Sequence, residues 1–79
     1  MVVERKVRLH SLNEIKDFIV MAGKYQCDIK VKKRDKIVDG KSMLGIISLV
    51  GRKPLTVVAD GDDASEFAVQ LERTKYLYQ

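Results

Sequence analysis

Few side chains in this sequence could carry chemistry. His10 is the sole histidine and stands directly before Ser11, where an alternating strand pattern gives way to a helical one. An imidazole nitrogen at such a place can accept a phosphoryl group if a cation and free backbone amides hold the transferred charge. Ser42 precedes the apolar run Met43-Leu44-Gly45-Ile46-Ile47. Its hydroxyl can cap a short helix. Cys27 is the sole cysteine and opens an alternating apolar run, so it reads as a core thiol with no assured cation to depress its pKa. Asp60, Asp62 and Asp63 have the look of a calcium loop. They lack the glycine and distal glutamate of an EF-hand, and acids opening a helix explain them better.

The elements that must position these residues follow from the changing period of the apolar side chains. Val3, Arg5, Val7 and Leu9 alternate with Val2, Glu4, Lys6 and Arg8, which predicts a first strand, most firmly from Lys6 onward. Ser11-Leu12-Asn13-Glu14 is a capping box. Ile15, Phe18, Ile19 and Ala22 then recur at helical spacing, predicting a helix over residues 12–23 with Gly23 near its C-terminal cap. Cys27, Ile29 and Val31 alternate with Asp28, Lys30 and Lys32, a second strand. Arg34-Asp35 turns it into a third, carried by Ile37 and Val38 and broken by Asp39-Gly40. A short helix capped by Ser42 follows, then an Arg52-Lys53-Pro54 loop. The β-branched run Leu55-Thr56-Val57-Val58-Ala59 is the fourth strand. Ala64, Phe67, Ala68 and Leu71 mark a last helix reaching about Lys75.

The order β-α-β-β-α-β-α lets every helix bury an apolar stripe only if the helices share one face of one sheet. That is a two-layer α+β sandwich. Clean alternation along the strands implies a mostly antiparallel sheet with one face in water.

Composition excludes other classes. The chain has 79 residues, 15 Lys plus Arg against 11 Asp plus Glu, and one proline. This length predicts a single domain over residues 1–79 with no large enclosed active site. A lone cysteine forms no internal disulfide, and one Cys with one His cannot make a structural zinc site. No cofactor is implied. No run approaches the roughly 18 apolar residues of a membrane span. The stretch Met43–Val50 is interrupted by Gly45 and Ser48, and the N-terminus runs from apolar into charged residues, the reverse of a secretory signal. A cytoplasmic protein is expected.

The element order, with Gly40-Lys41-Ser42-Met43-Leu44-Gly45-Ile46-Ile47-Ser48-Leu49, resembles HPr, the small phosphocarrier of the bacterial sugar phosphotransferase system. That family carries Lys-Ser-Ile-Met-Gly-Val-Met-Ser-Leu at this place. Lys24-Tyr25 and Asp28-Ile29 are similar to its Lys-Phe and Asp-Ile, and Leu55-Thr56-Val57 and Ala59-Asp60-Gly61 to its last strand and following turn. The resemblance covers about Val7 to Leu71. It implies an open-faced β-sandwich of strand order 1-4-2-3, with three helices on one face.

The sequence departs from HPr at the acceptor loop. The family has a long loop ending in Gly-(Leu/Ile)-His-Ala-Arg-Pro, whose His takes the phosphate and whose Arg stabilises it. Here Leu9-His10-Ser11-Leu12-Asn13-Glu14 runs almost directly into the helix. Counting back without gaps from Asp28-Ile29 puts Ser11 at the acceptor position, with Asn13 for the Arg and Glu14 for the Pro. Sliding by one puts His10 there and requires an insertion. In either alignment the Arg is missing, and Glu14 brings negative charge close to a phosphate. The ordinary alternative for His10 is an exposed strand-end histidine.

The resemblance makes Ser42 the better candidate, because the matching serine of some HPr proteins is phosphorylated by a dedicated kinase in carbon catabolite repression. Its competing role is helix cap alone. Met43, Leu44 and Ile47 form a candidate docking patch by the same analogy. Ile46 and Val50 are expected to face the sheet, leaving Met43 and Ile47 outside. Lys30, Lys32, Lys33, Arg34 and Lys36 make the hairpin basic. The inner strands carry no aromatic side chain for base stacking, so nucleic acid is the less favoured partner.

The resulting expectation is a regulatory or protein-interaction module of the phosphotransferase family, a carrier or regulator rather than a turnover enzyme. Its implied partners are proteins: an Enzyme I-like donor, an HPr kinase-like enzyme or a transcription regulator. The alternatives are an active phosphocarrier using His10 and a nucleic-acid binder using residues 30–36.

Overall fold

The computed structural model describes residues 1–78. Strand β1 (Val2–Val7) leads through residues 8–11 into helix α1 (Leu12–Ala22). A hairpin follows, β2 (Asp28–Lys33) and β3 (Lys36–Asp39), then α2 (Met43–Leu49), β4 (Leu55–Asp60) and α3 (Ala64–Glu72). The strands form one sheet of order β1-β4-β2-β3, and every pairing is antiparallel. This is the open-faced sandwich expected from the sequence, with three helices on one face.

Alternation sorts the side chains. Val7, Ile29, Val31, Leu55, Val57 and Ala59 are buried on the helix side of the sheet. Lys6, Thr56 and Lys32 lie side by side in register, as do Glu4, Val58 and Lys30, so these rows make the open face. Ile15, Phe18 and Ala22 of α1, Ile46 and Leu49 of α2, and Phe67 and Leu71 of α3 complete the core. Phe67 sets its ring edge-on to Phe18 at 6.2 Å and to Tyr25 at 5.4 Å. Such aromatic pairs add to the stabilisation from burial alone.

Several local details differ from the sequence reading. The first strand stops at Val7, and Leu9 is buried beyond it. The last helix ends at Glu72, short of Lys75. Residues 76–78 return along β1 instead: Arg8 N–H donates to Tyr76 O and Tyr78 N–H to Lys6 O, both at 2.8 Å. This covers part of the open edge of β1, which otherwise exposes unpaired backbone groups. Asp63 stands at the N-cap of α3 without a side-chain capping bond. Its carboxylate instead accepts from the amides of Gln26 at 2.7 Å and Cys27 at 2.9 Å, tying α3 to the start of β2.

Register fixes which ends of the strands coincide. Val7 faces Leu55, so the end of β1 lies beside the start of β4. Lys32 faces Thr56, so β2 also ends there. Asp28 and Val2 both face Asp60 at the opposite end. Asp28, Asp60, Asp62 and Asp63 surround a concavity at that far end. Lys33, Arg34, Lys36, Arg52 and Lys53 lie around the other end, so opposite charge gathers at opposite ends of the strands.

Candidate functional site

The N-terminus of α1 is built by its capping residues. Ser11 is extended (φ −138°, ψ 161°), and its Oγ accepts from the Glu14 amide at 3.2 Å. Glu14 reaches back one residue further than an ordinary capping box. Its Oε1 accepts from the His10 amide at 2.6 Å. His10 is exposed, and its ring has no hydrogen bond or ion pair among the described residues. The amides of Leu12 and Asn13 have no protein acceptor among the described residues. Arg8, the nearest arginine before His10 in sequence, places its guanidinium carbon 4.8 Å from the Tyr78 ring centre. That is cation–π geometry, and it commits the guanidinium to the ring. Tyr76 is buried in the same region. Its phenol is pushed up to about 12, first by burial and then by the charges of Asp17 and Glu14.

Ser42 also caps as expected. It is extended (φ −104°, ψ 115°), and its Oγ accepts from Gly45 N–H at 3.2 Å. Gly45 is what lets α2 approach β3: a Cβ there would stand 3.1 Å from Val38 Cβ and 3.3 Å from Ser42 Oγ. Lys41 sends its amine to the Tyr25 carbonyl at 2.7 Å, so it does not face a group on Ser42. That bond also sets the start of α2 near the C-terminal end of α1. Ser42 therefore lies away from His10, which β1 delivers to the other end of the sheet.

The apolar patch differs from expectation in one member. Leu44 is 82% exposed and Ile47 42%, whereas Met43 is partly buried and packs against the core. Leu49 takes the buried place expected of Val50, which is only partly covered. With Ile46 fixing the inward direction, Leu49 lies three positions on and shares its face. Leu44 and Ile47 form the exposed face.

The sequence counts Lys33 only as one member of the basic hairpin run. Alternation turns it under α2, where its Nζ donates to Leu49 O at 3.0 Å and neutralises the helix C-terminus. Cys27 is buried, and its thiol is pushed up to about 11, mainly by burial and then by the hydrogen bond and charge of Asp63. It is a core thiol, as read from the sequence. Among the described residues no helix is long and apolar enough to cross a membrane.

A four-stranded antiparallel sheet of order β1-β4-β2-β3 with three helices on one face defines an open-faced β-sandwich of the HPr-like type. The chain belongs to the HPr family: the family described as the PTS HPr component phosphorylation site matches residues 2–74. Solved structures agree. The phosphocarrier protein HPr of Bacillus anthracis is 27% identical over 89% of this chain and 92% of its own, with TM-score 0.73. HPr of Thermoanaerobacter tengcongensis is 31% identical over 91% of this chain and 86% of its own, with TM-score 0.74. The Bacillus subtilis catabolite repression protein Crh, solved as a swapped-domain dimer, is 28% identical over 85% of this chain and 78% of its own, with TM-score 0.70. No curated protein sequence matches the chain. Proteins of this family interact with components of the phosphotransferase system and with regulatory proteins.

Proposed function

We propose that this chain is a regulatory docking member of the HPr family that has lost the histidine relay. In this reading it is a single cytoplasmic domain whose partners bind the exposed Leu44 and Ile47 face of α2, with Met43 supporting that face from beneath. Ser42 is the modification site from which an HPr kinase-like enzyme would control docking, and a transcription regulator is the kind of partner implied. The observation that carries the reading is the Glu14 carboxylate on the His10 amide at 2.6 Å. A phosphoryl group on His10 or Ser11 would need donors at that place and would meet a carboxylate, which repels it. No arginine lies between Leu9 and Ile15 to offset that charge.

The phosphocarrier alternative also has support: the exposed His10 ring and the unclaimed Leu12 and Asn13 amides. Incubation with phosphoenolpyruvate and Enzyme I separates the two readings. The regulatory reading expects no acid-labile phosphoprotein; an adduct lost in His10→Ala would establish the carrier instead. Incubation with ATP and an HPr-type serine kinase is expected to give an acid-stable adduct that Ser42→Ala abolishes.

Nucleic-acid binding through residues 30–36 gains little from the geometry. Lys30 and Lys32 lie on the open face, while Lys33 points under α2, so the basic run does not form one continuous stripe.

A further inference from the structure

The strongest unexplained feature is a concavity at the end of the hairpin. Its walls come from three separate segments: the β2–β3 turn, the last turn of α2, and the loop before β4. Five cations line it, Lys33, Arg34, Lys36, Arg52 and Lys53, against the single acid Asp35. Its volume is about 430 Å³, within the range of small-molecule sites. Among the described residues none of these cations forms an ion pair with a carboxylate. Like charges brought together without counter-charge destabilise a fold unless an anion joins them.

The local backbone holds this arrangement in place. Lys33 is anchored by the Leu49 carbonyl, and Gly51 leaves room for it: a Cβ at Gly51 would stand 2.8 Å from Lys33 Nζ. Arg34 sits at the first turn position with φ 58°, a left-handed conformation that costs a side-chain-bearing residue roughly 1–2 kcal/mol. The turn thus presents a guanidinium where a glycine would relieve the backbone. Arg52 and Lys53 face it from the other wall.

We propose that this groove binds a small organic molecule carrying two or more phosphate groups. A single phosphate would engage one wall only; two linked phosphates span Arg34 and Lys36 on one side and Arg52 and Lys53 on the other. A nucleic-acid strand fits worse, because no aromatic side chain lines the groove for base stacking. The alternation that turns Lys33 away from Lys30 and Lys32 also interrupts the track a polymer backbone would follow.

Inorganic pyrophosphate and inorganic phosphate are the probes, titrated into the isotope-labelled chain and followed by amide chemical shifts. Pyrophosphate is expected to saturate, to bind at least about tenfold more tightly than phosphate, and to shift residues 33–36 and 48–53. Lys36→Glu with Arg52→Glu should weaken it by more than about tenfold, and Asp35→Asn should tighten it a few-fold. All three positions are exposed; if the double variant fails to fold, Arg34→Gln with Lys53→Gln makes the same test. Equal affinity for the two probes overturns the proposal. So do shifts spread over Lys6, Lys30 and Lys32, an unchanged affinity in a folded variant, or tighter binding of a single-stranded oligonucleotide than of pyrophosphate at about 0.15 M salt.

Discussion

Glu14 holds the His10 backbone amide at 2.6 Å while its own amide is capped by Ser11 at 3.2 Å. The same carboxylate that starts α1 therefore occupies a donor that a phosphoryl acceptor would use. Capping contacts of this kind contribute about 1 kcal/mol. Glu14→Ala is expected to lower stability by about that amount in denaturant unfolding, without creating an acid-labile phosphoprotein under phosphoenolpyruvate and Enzyme I. An adduct appearing on His10 in that variant would show that the carboxylate alone blocks a competent site.

The clamp made by Asp63 predicts a pH dependence. The Gln26 amide, ahead of the bonds from Cys27, holds the Asp63 carboxyl below its ordinary value of 3.8. A depressed carboxyl stabilises the fold fully above that ordinary value and loses the contribution as pH falls through its folded value. Asp63→Asn should therefore unfold at lower temperature than the parent at neutral pH. The gap should close in acid, and a gap that widened in acid would contradict the clamp.

Cys27 should be unreactive in the folded protein. With its thiol pushed up to about 11 and its side chain buried, almost none is thiolate at neutral pH. Iodoacetamide should label it slowly in native buffer and rapidly in urea. Comparable rates in the two conditions would mean that the β2 start is open in solution.

Two neighbours on α2 should behave oppositely. Leu44 is 82% exposed, so Leu44→Ala should change stability by less than about 0.5 kcal/mol. Ile46 is fully buried, so Ile46→Ala should cost about 2–5 kcal/mol. In a partner-binding assay the order reverses: Leu44→Asp should abolish docking while leaving thermal unfolding unchanged. Binding that survived Leu44→Asp would move the contact surface elsewhere.

Much of this architecture was legible from periodicity. Ile15, Phe18 and Ala22 announced the buried face of α1, and Ile29 and Val31 the inner face of β2, because burial repeats with the backbone period. The capping serines were readable for the same local reason. Met43 was misplaced because a seven-residue helix offers too few turns to fix its rotation. Only packing decided that Leu49, rather than Val50, would go inside. Long-range contacts left no local signal. Nothing near Asp63 in sequence points to the Gln26 and Cys27 amides, and nothing near Lys33 points to Leu49. The basic groove escaped notice for that reason: Arg52 and Lys53 belong to a loop distant in sequence from the hairpin they face.

The separation of acids and bases along the strands gives the molecule an electric dipole moment. One pole is the Asp28, Asp60, Asp62 and Asp63 end; the other is the groove end, where β1 also delivers His10. A formal net charge of +4 understates this, since it averages over both poles. An anionic partner would exert a torque favouring groove-first encounter, which would shorten the rotational search. Added salt would then slow the formation of complexes at that pole far more than it shortens their lifetime.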